Sequence, residues 1–168
     1  MTSIPHPDLK ARSISCAVIT VSDTRTLATD RSGKSISQLL EAAGHEIKYY
    51  SIVKDEPEQI KEVLLHLSSL KDLEALIFNG GTGIAPRDTT YDAISSLLEK
   101  TLPGFGELFR FLSYQEIGSR AIASRSVAGI YAGKLVFSLP GSTNAVKLAL
   151  SKLILPELVH LVRQLKGE

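Results

Sequence analysis

Tryptophan is absent, methionine and cysteine occur once each, and 19 lysines and arginines almost cancel 18 aspartates and glutamates. Each scarcity removes a class of protein. One cysteine excludes an intrachain disulfide and any cysteine-rich zinc or iron–sulfur centre. A formal charge of +1 gives no broad attraction to nucleic acid or to an anionic membrane, although a local basic site is compatible with it. No apolar run approaches the roughly 18 residues that span a bilayer. Residues 1–12 contain Pro5, Pro7 and Asp8 and no hydrophobic stretch, so they read as a flexible lead-in and not as a signal peptide. The rest is ordinary globular composition, 43% hydrophobic and 22% charged over 168 residues. About 150 residues is a usual domain, and a chain of this size buries about 70% of its unfolded surface. One soluble, cytoplasmic domain over residues 13–168 is expected, with neither nucleic acid nor membrane as partner.

Apolar patterning sets the class. Ile14–Val21 is a short, β-branched, nearly continuous apolar run, as in a parallel strand covered on both faces. Ile36, Leu39, Leu40 and Ala43 follow at helical spacing, with Gly44 as a stop. Glu46–Val53 reads as a second strand. Asp55 and Glu58 resemble a capping box before a helix whose face is Ile60, Val63, Leu64 and Leu67. Ala75–Phe78 is a third strand, and a helix carrying Ile94, Leu97 and Leu98 comes after a turn-rich stretch. Beyond Pro103, Phe105, Leu108, Phe109 and Leu112 mark a helix ending near Gly118. Val127–Tyr131 and Lys134–Leu139 flank Ala132-Gly133 as a hairpin. A last helical stretch runs from Thr143, kinked or restarted at Pro156. The expected fold is a three-layer α/β/α sandwich with a mostly parallel sheet and one antiparallel edge hairpin.

Three polar, glycine-bearing segments each follow a strand and lead into a helix: Ser22–Gly33, Asn79–Asp88 and Pro140–Asn144. In an open α/β sheet such turns gather at the carboxyl ends of the strands, where ligands bind. Glycines let successive N–H groups point at one spot, and serine and threonine add hydroxyl donors, which suits an anionic ligand. In Gly80-Gly81-Thr82-Gly83 four amides and the Thr82 hydroxyl are expected to hold phosphate oxygens, with Arg87 offsetting their charge. Asp88 would be repelled there unless a cation intervenes; magnesium, held by one or two carboxylates plus substrate phosphates, fits. Asp88 and Asp55 serve equally as helix caps, and the local sequence leaves both roles open.

Other motifs fail or read as structural. Gly33-Lys34-Ser35 imitates the tail of a P-loop, but Ala28 takes the place of the first glycine; Pro86 takes the third glycine of a dinucleotide fingerprint begun at Gly81 and Gly83. Cys16 reads as a small core residue. His6, His45, His66 and His160 have no metal-ligand spacing and read as surface or interface residues. Tyr49 and Tyr50 are expected on opposite faces of their strand, and Glu107 and Arg110 either pair or touch ligand. Lys10, Lys147, Lys152, Arg163 and Lys166 read as a scattered, solvated set.

Asn79–Ile94 (NGGTGIAPRDTTYDAI), Val21-Ser22-Asp23, Pro103–Arg110 (PGFGELFR), Ser124–Ile130 (SRSVAGI) and Leu139–Asn144 (LPGSTN) resemble the molybdenum-cofactor biosynthesis proteins of the MoaB/MogA type. The likeness spans residues 13–165, and LPGST with SYQEIGSR favours the MoaB branch. It implies a molybdopterin adenylyltransferase that joins AMP from ATP to molybdopterin and releases pyrophosphate, in a trimer or hexamer. It also implies magnesium with ATP, and hand-over to a molybdate-inserting enzyme. By position, Asp55 and Asp88 match the two acids that active members need. Gly80, Gly81, Thr82 and Gly83 match the nucleotide-phosphate loop, and Pro140, Gly141 and Ser142 a second nucleotide-contacting turn. Ser22, Asp23, Asp30, Ser32 and Gly33 fall on the phosphate and pterin side. The alternative is a non-catalytic carrier of molybdopterin or nucleotide in the same pathway.

Overall fold

The computed structural model describes residues 12–168, so the expected lead-in over 1–12 falls almost wholly outside the described residues. Six strands form one sheet: β1 (Ser15–Val21), β2 (Glu46–Val53), β3 (Ala75–Asn79), β4 (Lys100–Thr101), β5 (Val127–Tyr131) and β6 (Lys134–Leu139). Their order is β2-β1-β3-β6-β5-β4. The pairs β1–β2, β1–β3 and β3–β6 are parallel, while β5 runs antiparallel to both β6 and β4. The mostly parallel α/β sandwich is therefore present, with one difference at the margin. The hairpin's β6 sits inside the parallel set, and the two-residue β4 forms the outer edge beyond β5.

Strand parity splits the core in two. Cys16 and Val18 of β1 and Ala75 and Ile77 of β3 meet α1 (Arg31–Ala42), α4 (Pro103–Ile117), α5 (Thr143–Ala149) and α6 (Leu155–Lys166) on one face. Ala17, Ile19, Leu76 and Phe78 meet α2 (Pro57–Ser69) and α3 (Thr90–Ser95) on the other. Tyr50 and Tyr49 belong to opposite faces, as expected. Cys16 is fully buried, and burial first, then the charge of Glu74, pushes its thiol up to about 12, which fits an inert core residue.

Three local readings change. Helix α3 stops at Ser95, so Leu97 and Leu98 pack from the turn after it. Between α5 and α6 the helix widens into a π turn at Leu150–Ile154, just ahead of Pro156, whose missing N–H and ring cannot continue the regular ladder. His45 is not a surface residue: it is 8% exposed and its Nδ1 accepts the Ile14 amide at 3.2 Å. Burial holds its pKa below the usual value.

That depression has a defined sign. Below about pH 6.5 the unfolded chain protonates its imidazole while the folded chain does not, so stability is full above that pH and declines below it. His45→Gln, which keeps an acceptor, is expected to flatten the urea midpoint between about pH 5 and 7. An unchanged slope would show that His45 does not set it.

Candidate functional site

The sheet order fixes where a ligand can sit. From β1 the chain goes outward to β2 and then crosses back to β3, so β1 and β3 diverge at a topological switch point. A cavity of about 540 Å³ lies there, lined by Val21 at the end of β1 and Ser22 after it, Gly80 to Gly83 after β3, and Pro140 to Ser142 after β6. Phe109, Ser113 and Ile117 of α4 and Arg120 close another side.

The Gly80–Gly83 loop is pinned from outside. Gly80 N–H donates to Leu139 O at 2.9 Å, and Gly81 O accepts from Thr90 N–H at 3.1 Å. Gly81 has φ +65, and a Cβ there would run into the Asp55 carboxylate and the Thr90 hydroxyl, so glycine is required on both counts. The amides of Gly81, Thr82, Gly83 and Ile84 have no acceptor among the described residues. Gly81, Thr82 and Gly83 line the cavity and Ile84 does not, while the Gly80 amide, expected among the free donors, is taken by Leu139; adjacent unbonded donors of this kind suit an anion.

Both candidate acids border this loop. Asp55 is 6% exposed and its Oδ1 accepts the Thr89 amide at 3.1 Å and the Thr89 hydroxyl at 2.7 Å. The expected capping box with Glu58 does not form: Glu56 is the N-cap of α2 and its side chain makes no capping bond. Asp55 instead reaches across to the start of α3. Asp88 lines the cavity, and its Oδ2 would lie 2.7 Å from a Cβ on Gly83 while accepting the Ala85 amide at 3.1 Å. It does not cap α3, whose N-cap is Thr89.

The charges divide differently from expectation. Arg87 is turned away from the cavity, forked onto Asp23 at 2.9 Å and reaching Glu56 at 2.8 Å. The hydrogen bond from Arg87 holds the Asp23 carboxyl below the ordinary range, and Asp23 Oδ1 accepts the Asp55 amide at 3.2 Å. Asp23 thus braces the acid's backbone from outside. The cavity's own cations are Arg25 and Arg120. Arg25 donates to Ser32 Oγ at 2.6 Å and to Gly141 O at 2.8 Å, tying the first turn to the third.

Asp30, Ser32 and Gly33 are buried and do not line the cavity. Ser32 Oγ donates to Asn79 Oδ1 at 2.7 Å, and Asp30 caps α1 through the Gly33 amide at 3.1 Å. Burial pushes the Asp30 carboxyl up, but Thr20 and Tyr50 hydroxyls, the Gly33 amide and nearby Arg25 outweigh it and leave the pKa below the usual value. The Tyr50 hydroxyl, 2.5 Å from Asp30, is raised by burial and by that bond. This stretch builds the platform for Arg25. Ser22 lines the cavity and accepts the Arg25 amide at 3.1 Å, and Ser142 lines it while capping α5 through Ala145 N–H at 3.2 Å. Arg25 and Arg125 escaped the sequence reading as site residues; the only local signal is an arginine between two hydroxyl side chains, Thr24 and Thr26 for the first and Ser124 and Ser126 for the second.

The pattern of the family described as "Probable molybdopterin binding domain" matches residues 17–160. The chain belongs to the MoaB/MogA family of molybdenum cofactor biosynthesis proteins. Within that family, the molybdenum cofactor biosynthesis protein B of Halalkalibacterium halodurans is 53% identical over 161 residues, covering 95% of each chain. A crystal structure of a molybdenum cofactor biosynthesis protein B superposes with a TM-score of 0.91 at 48% identity, covering 94% of this chain and 98% of that one. The tungsten cofactor synthesizing protein MoaB of Pyrococcus furiosus superposes at 0.83 with 36% identity, covering 94% and 99%. This MoaB/MogA-family chain places its glycine loop and Asp88 on the lining of the switch-point cavity, while Asp55 does not line it and packs behind the loop against Gly81.

Proposed function

We propose that this chain is a molybdopterin adenylyltransferase, transferring AMP from ATP to the terminal phosphate of molybdopterin with release of pyrophosphate. The observation that carries the reading is the loop of four unbonded amides, Gly81 to Ile84, with the Asp55 and Asp88 carboxylates packed against its glycines. No group of three or more His, Cys, Asp or Glu side chains suited to a metal gathers among the described residues. That fits a magnesium ion arriving with ATP, since such ions need only one or two carboxylates besides phosphate oxygens.

The chemistry asks little of the protein in proton transfer. A phosphomonoester has a second pKa near about 6 and is mostly dianionic at neutral pH. Its oxygen bonds to the α-phosphorus of ATP, the bond to the β-phosphate bridging oxygen breaks, and pyrophosphate leaves with that electron pair. No general base is needed. Asp55 and Asp88 would hold the magnesium, which would neutralise charge on the transferring phosphate. The loop amides, the Thr82 hydroxyl and Arg25 hold and orient two polyanions that would otherwise repel. Pro140, Gly141 and Ser142 form the opposite wall for the nucleotide. Ser22 stands on the side given to the pterin and its phosphate, with Asp23, Asp30, Ser32 and Gly33 as support.

The exposed apolar side chains Leu108, Phe111, Tyr114 and Ile117 on α4, with Ile122 after it, suit burial in a homo-oligomer, a trimer or hexamer. No described helix is long and apolar enough to cross a membrane, and we place the protein in the cytoplasm, passing product to a molybdate-inserting enzyme. Incubation with magnesium, ATP and molybdopterin is expected to yield pyrophosphate and adenylylated molybdopterin in equal amounts. Binding of both substrates with neither product would leave a carrier.

A further inference from the structure

Arg125 lies in the segment between the 3₁₀ turn Gly118–Ala123 and β5, and it does not line the cavity. It nonetheless grips the phosphate loop through hydrogen bonds to the carbonyls of Thr82, Gly83 and Asp88. Its Nε donates to Gly83 O at 3.1 Å and leans toward Thr82 O at 3.4 Å. Its Nη2 donates to Gly83 O at 2.7 Å and to Asp88 O at 3.1 Å. Its Nη1 forks onto the Asp92 carboxylate at 3.1 and 3.0 Å. Each of the three guanidinium nitrogens thus has at least one protein acceptor. The plane also rests 5.0 Å from the centre of the Tyr91 ring, a cation–π contact that holds it from a further side.

Peptide planarity converts these contacts into a statement about the cavity. In a trans peptide the carbonyl and the next residue's N–H point in opposite directions. Fixing Thr82 O and Gly83 O on one side therefore aims the Gly83 and Ile84 amides to the other. Gly81 O, bound by the Thr90 amide, does the same for the Thr82 amide. Asp88 O is fixed by the same guanidinium, which sets the backbone carrying the second acid.

We propose that Arg125 is a positioning residue for nucleotide phosphates: it grips the loop's carbonyls from behind and so keeps the amides and Asp88 turned toward the cavity. The proposal rests on reading that loop as a polyphosphate cradle. Lysine cannot replace arginine here, because three donors on a flexible stem cannot span three carbonyls and a carboxylate in one plane.

Three readouts test it, two of them independent of turnover. In Arg125→Gln the amides of Asp88, Thr89 and Thr90, bonded in the wild type to Ala85 O, the Asp55 carboxylate and Gly81 O, are expected to exchange hydrogen faster. Calorimetric binding of magnesium-ATP is expected to weaken on the order of tenfold, since the donors lost are phosphate-binding ones held in ground and transition state alike. In the full assay KM for ATP rises accordingly, kcat changes less, and KM for molybdopterin stays put. Millimolar guanidinium added to Arg125→Ala is expected to recover part of the ATP affinity. Unchanged exchange and unchanged ATP binding in Arg125→Gln would overturn the assignment. If that variant does not fold, Arg125→Lys decides: ATP affinity equal to wild type overturns it, and an intermediate loss supports it. A wild-type protein that binds magnesium-ATP but makes no pyrophosphate would defeat the transferase reading, while exchange and binding still judge Arg125.

Discussion

Asp55→Asn and Asp88→Asn are each expected to lower pyrophosphate release from magnesium-ATP and molybdopterin by on the order of 100-fold or more, with molybdopterin binding largely intact. The substitution separates the hydrogen-bonding role seen in the structure from the proposed metal role. Asp55 accepts the Thr89 amide and hydroxyl, and Asp88 accepts the Ala85 amide. Asparagine keeps an oxygen of the same shape for these bonds, so the start of α3 and the turn at residues 85–88 stay in place. Only the charge is lost. If the acids were no more than caps, both variants would turn over at nearly the wild-type rate. If they hold magnesium, activity falls while the thermal midpoint moves by a few degrees at most, and raising magnesium restores part of the rate in the variant that keeps the other acid. Full turnover in both would refute the metal role.

The fold was legible because it follows from patterns that neighbours along the chain enforce. Parity in β1 and β3 places alternate residues on two faces, and Gly44 and Gly118 stand where their helices end. Two-residue β4 offers too short a run for any periodicity, and it exists because Lys100 and Thr101 pair with Ile130 and Gly129. The three glycine turns were legible as a common rim, since every parallel strand must deliver its following loop to one edge.

The finer site was not legible where long-range hydrogen bonds compete for the same side chain. Asp55 with Glu58 has the spacing of a capping box, but the carboxylate is claimed by Thr89, 34 residues away. Arg87 stands beside the Gly80–Gly83 loop in sequence yet is drawn outward by two carboxylates, Asp23 and Glu56. Those two bonds lift its pKa further above the ordinary arginine value. His45 looked like a surface residue because nothing local announces that the Ile14 amide at the start of the sheet lacks a strand partner and takes the imidazole.

The contrast between Arg25 and Arg87 gives the sharpest test of where the phosphates lie. Arg25→Met is expected to cut kcat/KM for ATP on the order of 100-fold, and Arg87→Met by no more than about threefold. Arg25 is two-thirds buried, bonded to Ser32 and Gly141, and backed by the Asp30 carboxylate 3.7 Å away. Its guanidinium is therefore fixed on the cavity wall and partly shielded from solvent, so loss costs both attraction and the tie between two walls of the cavity. Arg25→Lys should recover only part of the activity, because an ammonium cannot bridge Ser32 and Gly141 as a planar fork does. Arg87 is 58% exposed, and its two ion pairs are solvated ones that lie outside the cavity, with the Asp55 amide still able to donate to Asp23 once the guanidinium is gone. The reverse order, with Arg87→Met the more damaged enzyme, would put the polyphosphate outside the switch-point cavity and against the Asp23 side of the loop.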